Sequence, residues 1–238
     1  MIATIVNCVT VILGSAVGLL LHKKIREGYK DAVFVAVGCF SLVIGMKLAL
    51  GFEHVLIIVL SLVIGGLLGY LLDIEGALLR FGDRLKRRFS KNSQDHTFSE
   101  GFLSASILFC VGAMTSIGAL NAGIEKNYDL LLTKSVMDGF VAIFLTAAMG
   151  VGVMFSIITL LVYQGGLTLL AAQLAPLLNE TILSELSSIG GILIIMIGIN
   201  MLDLKKLKTG NFIPALLVVL VLTVLQPHLQ PFFSRFGF

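Results

Sequence analysis

Apolar residues along this chain come in long runs that short polar connections separate. A helix needs about 20 such residues to cross the roughly 30 Å hydrocarbon core of a membrane. No stretch alternates with the period of a strand, and a membrane leaves no water to satisfy unpaired backbone groups. The pattern therefore predicts an all-α, polytopic transmembrane helix bundle of about eight spans, at 2–21, 31–50, 54–73, 101–123, 134–161, 163–178, 186–202 and 211–227.

The boundary between the fifth and sixth spans is the least defined, because residues 134–178 are almost continuously apolar. The sixth span is short and ends at Pro176. We predict the break at the sequence YQGG, residues 163–166, since glycines interrupt helices. Seven spans with a re-entrant segment are the alternative.

Composition agrees with a membrane protein and excludes a water-soluble globular domain. The chain is 57% hydrophobic and 13% charged, with a mean hydropathy of +1.02, whereas soluble domains carry about 25% charged residues. No HExxH or GxSxG motif, no paired intramembrane carboxylates and no cofactor-binding or metal-ligand spacing is present. We therefore expect neither an enzyme nor a bound cofactor.

Positive charge predicts the orientation in the membrane. Three connections, 22–30, 74–99 and 203–210, hold 13 of the 17 lysines and arginines. Basic residues in short loops mark the cytoplasmic side, so both termini of an eight-span chain are expected outside. The basic connection 74–99 is expected to meet anionic lipid rather than nucleic acid.

Two glycine pairs suggest an internal repeat. Gly38 and Gly45 have the same spacing as Gly191 and Gly198, with aliphatic residues between them. Spans 1–3 would then repeat, inverted, as spans 6–8 around spans 4–5, although chance similarity is the alternative. Inverted repeats are typical of secondary transporters. The chain would divide at 1–73, 74–100, 101–162 and 163–238.

Two GxxxG motifs predict close helix packing, because glycine lets helix backbones approach one another. They are formed by Gly14 with Gly18 and by Gly65 with Gly69. The contacts are expected within the chain or between copies in a homo-oligomer.

Lys134 and Asp138 are the most informative charged residues. Positions four apart share one helix face, yet lysine before aspartate is the less favourable order near a helix N-terminus. Asp138 is the acidic residue that we place clearly inside an apolar span. It is interpreted either as a ligand for an ion or proton or as half of a structural salt bridge.

Neutral polar residues inside the spans could complete an ion site. Residues 109–125 form either a broken helix with free carbonyl groups or a continuous helix that packs through small residues, and the small residues favour the second. The candidate oxygen ligands are Asn7, Thr115, Ser116 and Asn121, and the supporting or pathway residues are Lys134, Ser135, Gln164 and Asn200.

Several motifs together resemble the YqgA/YdfK-like family of prokaryotic membrane proteins. They are VNCVTVILGSAVGLLL, FCVGAMTSIGALNAG, LLLTKSVMDGF, YQGGLTLLA, GGILIIMIGINML and NFIPALL, which run along nearly the whole chain. The sequence departs from the family pattern at Ala113, where relatives often carry proline. The resemblance implies a bacterial inner-membrane protein and suggests a sodium channel or pump.

Two hypotheses about function follow. The first is a small ion channel or secondary transporter for a monovalent cation such as sodium, with Asp138 as the charged ligand. The second is a membrane scaffold or regulatory subunit that acts through oligomer contacts. A water-accessible cavity reaching Asp138 would favour transport, and an Asp138 sealed against Lys134 would favour the scaffold.

Overall fold

The structure is a computed structural model that describes residues 1–24, 27–89, 97–110, 113–174 and 179–233, and most of these residues are helical. No strand occurs in these ranges, so the all-α prediction is confirmed. The helices are α1 (Ile2–Lys24), α2 (Glu27–Ala49), α3 (Val55–Leu72), α4 (Ile74–Phe89), α5 (Thr97–Cys110), α6 (Ala113–Ile124), α7 (Asp129–Met149), α8 (Ile157–Leu169), α9 (Ala171–Leu174), α10 (Glu180–Met201) and α11 (Ala215–Phe233).

Length and hydropathy identify five helical stretches in the described residues that could cross a membrane, or six if α5 and α6 cross as one bent span. A shorter apolar helix, Phe34–Ala49, lies within α2. The protein is therefore a polytopic helical bundle. The number of eight spans stays a prediction.

The longest of these stretches, Asp129–Leu169, has 41 residues and would be about 61 Å long as a straight helix. The side chain of Asn7 nevertheless reaches both Asp138 and Gln164, at 2.9 and 3.1 Å. A straight α-helix between those two positions would be about 39 Å long. The chain must therefore fold back between them.

Gly150 provides this reversal. Its φ of 78° lies in the left-handed region, which glycine adopts at little cost. A 3-10 segment, Gly150–Ser156, then leads into α8. The predicted break at residues 163–166 is wrong, because these residues continue α8, and the predicted division at residue 163 falls inside that helix.

The glycines of the suggested repeat face each other. A Cβ built on Gly191 would lie 2.6 Å from the carbonyl oxygen of Gly45, and one on Gly45 would lie 2.7 Å from that of Gly191. A Cβ built on Gly198 would likewise lie 2.9 Å from the carbonyl oxygen of Gly38. Helices α2 and α10 are thus antiparallel and in backbone contact. A two-fold axis between repeats would produce such reciprocal contacts, although the inverted repeat itself stays a prediction.

The basic connection 74–99 is not simply a loop, as the sequence suggested, because α4 occupies most of it. Apolar side chains of α4, Leu78 and Leu79, pack against the core, while Arg84 and Arg87 are exposed. The Ser99 hydroxyl donates to Asp83 at 2.6 Å and ties α4 to the start of α5. One apolar and one basic face are typical of a helix that lies along a membrane surface.

Candidate functional site

A buried polar cluster joins helices α1, α7 and α8. The Asn7 amide donates to a carboxylate oxygen of Asp138 at 2.9 Å and to the Gln164 side-chain oxygen at 3.1 Å. The Gln164 amide donates in turn to the Thr4 hydroxyl at 3.2 Å. All four residues are buried. Residues from distant parts of the sequence thus form one hydrogen-bonded group.

Lys134 adds a positive charge and a fourth helix to this cluster. Its ammonium group forms an ion pair with Asp138 and donates to the backbone carbonyl of Phe109 at 2.9 Å. The Thr115 hydroxyl also donates to this carbonyl, at 3.4 Å. Phe109 lies in the last turn of α5, where carbonyl groups lack partners within the helix.

The sequence favoured a continuous helix over residues 109–125, and the structure shows two. Helix α5 ends at Cys110, α6 begins at Ala113, and the two axes differ by 58°, while residues 111 and 112 lie outside the described residues. The Phe109 carbonyl, in the last turn of α5, accepts from Lys134. A cation at this point is also favoured by the helix macrodipole, whose negative end lies at the C-terminus of α5.

In this conformation the ion pair is closed to water. The exposed fraction is 6% for Lys134 and 8% for Asp138, and α7 begins at Asp129, which places Asp138 about 13 Å along the helix. The other amide atom of Asn7, Oδ1, is buried and has no hydrogen-bond partner among the described residues. The cluster therefore contains a buried amide oxygen that none of the described donors satisfies.

The remaining candidate residues divide into those at the cluster and those away from it. Ser116 is buried near the start of α6, and the Ser135 hydroxyl donates to the Leu131 carbonyl one turn earlier on α7. Asn121 is half-buried towards the end of α6, and in the described part of the chain no hydrogen bond joins its side chain to the cluster. Asn200 lies away from the cluster. Its side-chain nitrogen donates to the Leu207 carbonyl at 2.8 Å, and its side-chain oxygen accepts from the Leu207 amide at 2.7 Å.

A cavity of about 430 Å³ lies on the side of the predicted cytoplasmic connections. One face of α5 runs along it through Glu100, Leu103, Ser104 and Ile107. The last residue of α5 that lines the cavity is Ile107, which precedes Phe109 by two residues, or about 3 Å along the helix axis. Neither Lys134 nor Asp138 belongs to the lining.

Charged residues of both signs surround the cavity at helix ends and connections: Glu75, Glu100, Asp203, Lys206 and Lys208. Burial raises the pKa of the Glu75 carboxyl, and the amide of Gly210 and the charge of Lys208 oppose this effect. The Gly210 amide donates to that carboxyl at 2.8 Å. Glu75 thus holds the connection before α11 in place.

Water is expected to enter this cavity, and cysteine labelling can test it. In a protein whose native Cys8, Cys39 and Cys110 are replaced, Ser104→Cys should react with a membrane-impermeant maleimide from one side of the membrane. Val63→Cys, on an exposed apolar face of α3, should stay unlabelled because lipid covers it. Equal labelling at both positions, or none at Ser104→Cys, would contradict a water-filled cavity.

Sequence reasoning missed a second buried carboxylate, Glu185. The predicted seventh span begins at residue 186, but α10 begins at Glu180 and buries Glu185 completely. The sequence feature that indicates this earlier helix start is Asn179, whose side chain caps α10 by accepting from the Ile182 amide at 2.8 Å. Asparagine followed by an acidic residue is a typical helix start. Asp138 is therefore not alone as an acidic residue inside an apolar helix.

The described residues contain no group of three or more histidine, cysteine or acidic side chains arranged to hold a metal ion. The polar cluster instead combines one carboxylate, one ammonium, amide groups and the Phe109 carbonyl at the end of α5. Carboxylate and carbonyl oxygens are the kinds of group that hard cations take as ligands.

The chain is similar to two curated bacterial proteins. It is 33% identical over 222 residues to "Uncharacterized membrane protein YdfK" of Bacillus subtilis (strain 168), which covers 92% of this chain and 93% of that protein. It is 27% identical over 225 residues to "Uncharacterized protein YqgA" of Escherichia coli (strain K12), covering 93% and 96%. No solved structure matches the chain. Residues 2–224 match the family described as "Protein of unknown function (DUF554)", and the chain therefore belongs to the DUF554 family.

Proposed function

We propose that this membrane protein is a small ion channel or secondary transporter, in which a monovalent cation such as sodium competes with Lys134 for Asp138. One observation carries the proposal. In the buried Lys134–Asp138 pair, the carboxylate accepts from Asn7, which also donates to Gln164, and the ammonium donates to the Phe109 carbonyl at the end of α5. Two oxygen atoms, one from the Asp138 carboxylate and one from the Phe109 carbonyl, thus accept from the lysine ammonium.

The packing of apolar helices does not by itself require a buried ion pair with hydrogen-bonded side-chain amides. Ionisable side chains within a membrane cost free energy, and those that persist usually mark ion or substrate pathways. The order of lysine and aspartate on α7 does not favour the helix. The side chains of the cluster come from α1, α7 and α8, and Lys134 also bonds the backbone of α5. The free-energy cost of burying the ion pair therefore accompanies a specific arrangement of these four helices.

A cation that displaced Lys134 would find two oxygen ligands already in place, a carboxylate oxygen of Asp138 and the Phe109 carbonyl, which now accept from the lysine. The side-chain oxygens of Gln164 and Asn7 belong to the same buried cluster and could be added. Carbonyl groups at the C-terminal ends of broken helices coordinate sodium in known secondary transporters. Lys134 would then act as a built-in counter-ion that holds the empty site closed.

A non-transporting scaffold or regulatory subunit is the second candidate, and the sealed ion pair favours it. Lys134 and Asp138 are almost fully buried, and the cavity lining does not include them. Gly14 and Gly18 of α1 approach the backbone of α7 so closely that a Cβ would overlap it. In a scaffold, the ion pair would only fix α7 against α1 and α5.

Ion flux into proteoliposomes separates the two candidates. We expect sodium or potassium flux with the wild-type protein and about 10–100-fold weaker apparent ion affinity in Asp138→Asn, because an interaction with a charged group contributes about 1.5–3 kcal/mol. Asp129→Asn is the matched control, since Asp129 is an exposed acidic residue on the same helix. It should transport like the wild type.

The same experiment can reject the proposal. Absence of flux for both ions across a range of gradients and voltages would exclude a monovalent-cation transporter and leave the scaffold as the leading candidate. Flux that Asp138→Asn leaves unchanged would remove Asp138 from the pathway.

A further inference from the structure

A second buried carboxylate, Glu185 on α10, shares no hydrogen bond with the Asp138 cluster. One of its oxygens, Oε1, accepts the backbone amides of Glu53 and His54 at 3.1 and 2.7 Å and lies 3.0 Å from the Nδ1 atom of His54. The other, Oε2, is buried without a hydrogen-bond partner among the described residues. A buried charged oxygen without a partner is costly, so Oε2 points to a ligand.

His54 links this carboxylate to the protein surface. Its side chain is 33% exposed, whereas that of Glu185 is 0% exposed. The Nε2 atom of His54 lies 2.6 Å from the side-chain nitrogen of Gln226. If that amide donates to Nε2, the imidazole is neutral and its Nδ1–H donates to Glu185. The histidine ring thus lies between the carboxylate and the protein surface.

The surroundings of Glu185 offer no other described group that would neutralise it. Its one salt-bridge partner among the described residues is His54, which is charged only when protonated. The other ionisable residues at this end of α10 and on the elements that pack against it are exposed, and none pairs with Glu185: Lys47, Glu53, Glu125, Lys126 and Glu180.

We propose that Glu185 is a proton-binding site and that His54 connects it to water. A proton fits better than a metal cation, because donor N–H groups already point at Oε1 and leave a single oxygen free. Metal cations such as Ca²⁺ or Mg²⁺ take six or more oxygen ligands. The proton comes from bulk water and ends on Oε2, which converts the carboxylate to a neutral acid.

Proton binding has a structural consequence for the connection between α2 and α3. Hydrogen bonds to a charged acceptor are roughly twice as strong as those to a neutral one. A protonated Glu185 would therefore hold the amides of Glu53 and His54 less tightly. The connection would loosen from α10 in acid and tighten in alkaline solution, whether or not the protein transports ions.

Infrared difference spectra recorded between alkaline and acidic buffer test the proton site directly. On acidification, the wild-type protein in liposomes should gain a carboxylic-acid C=O band that contains a component from Glu185. The spectrum of Glu185→Gln should lack that component. Glu180→Gln, which changes an exposed carboxylate in the first turn of α10, and Asp138→Asn should keep it. A component that survives in Glu185→Gln, or is absent from the wild type, would overturn the proposal.

Hydrogen exchange of the wild-type protein gives a second test, which needs no variant to fold. The amides of Glu53 and His54 should lose protection on acidification, after correction for the intrinsic pH dependence of exchange. Amides inside α3 serve as the internal reference and should stay protected. Protection of Glu53 and His54 that does not change with pH would also overturn the proposal.

Discussion

Replacing Lys134 by methionine is expected to lower the free energy of unfolding by about 3–5 kcal/mol, because the substitution leaves Asp138 buried without its counter-charge. Methionine has a similar length and keeps the apolar part of the packing. The Phe109 carbonyl at the end of α5 would also lose its ammonium partner, which adds to the loss. The measurement is an unfolding titration with a denaturing detergent in mixed micelles.

The double variant Lys134→Met/Asp138→Asn is the control for this effect. The asparagine that replaces Asp138 in that variant has no charge to compensate and still offers an oxygen to the Asn7 amide, so much of the stability should return. Replacing both partners of a buried ion pair often costs far less than replacing one. Equal stability of Lys134→Met and the wild type would show that the pair does not carry a buried charge.

Gly14→Ala is expected to destabilise the protein by about 1–3 kcal/mol, because it introduces a methyl group where two backbones touch. A Cβ on Gly14 would overlap the carbonyl oxygen of Gly139 on α7 and lie 3.2 Å from the side chain of Ala142. Gly139 directly follows Asp138, so a shift of α1 should also lengthen the bond between Asn7 and Asp138. The unfolding titration measures the first effect.

Gly166→Ala is the matched control, since a Cβ there has no neighbour within 4 Å. In the helix interior alanine is favoured over glycine by about 1 kcal/mol, so this variant should equal or exceed the wild type in stability. If Gly14→Ala behaved like Gly166→Ala, the contact between α1 and α7 would not be as close as the structure has it.

The sequence alone determined the class of protein and the local features of the site. Long apolar runs predict membrane helices because a membrane forces each segment to satisfy its own backbone hydrogen bonds. The spacing of Lys134 and Asp138 predicted a shared helix face because the geometry of one turn is local. The glycine spacings that suggested a repeat also marked the residues at which α2 and α10 touch.

Only the tertiary structure decided which polar groups meet. Asn7 and Gln164 lie far apart in the sequence, and their contact depends on the reversal at Gly150, which hydropathy does not reveal because both sides of it are equally apolar. The sequence analysis did not single out Glu185, which the fold buries and brings into contact with the backbone amides of the α2–α3 connection. The pattern of apolar residues determines that helices form and cross a membrane. Which side chain pairs with a buried charge depends on contacts between helices that are distant in the sequence.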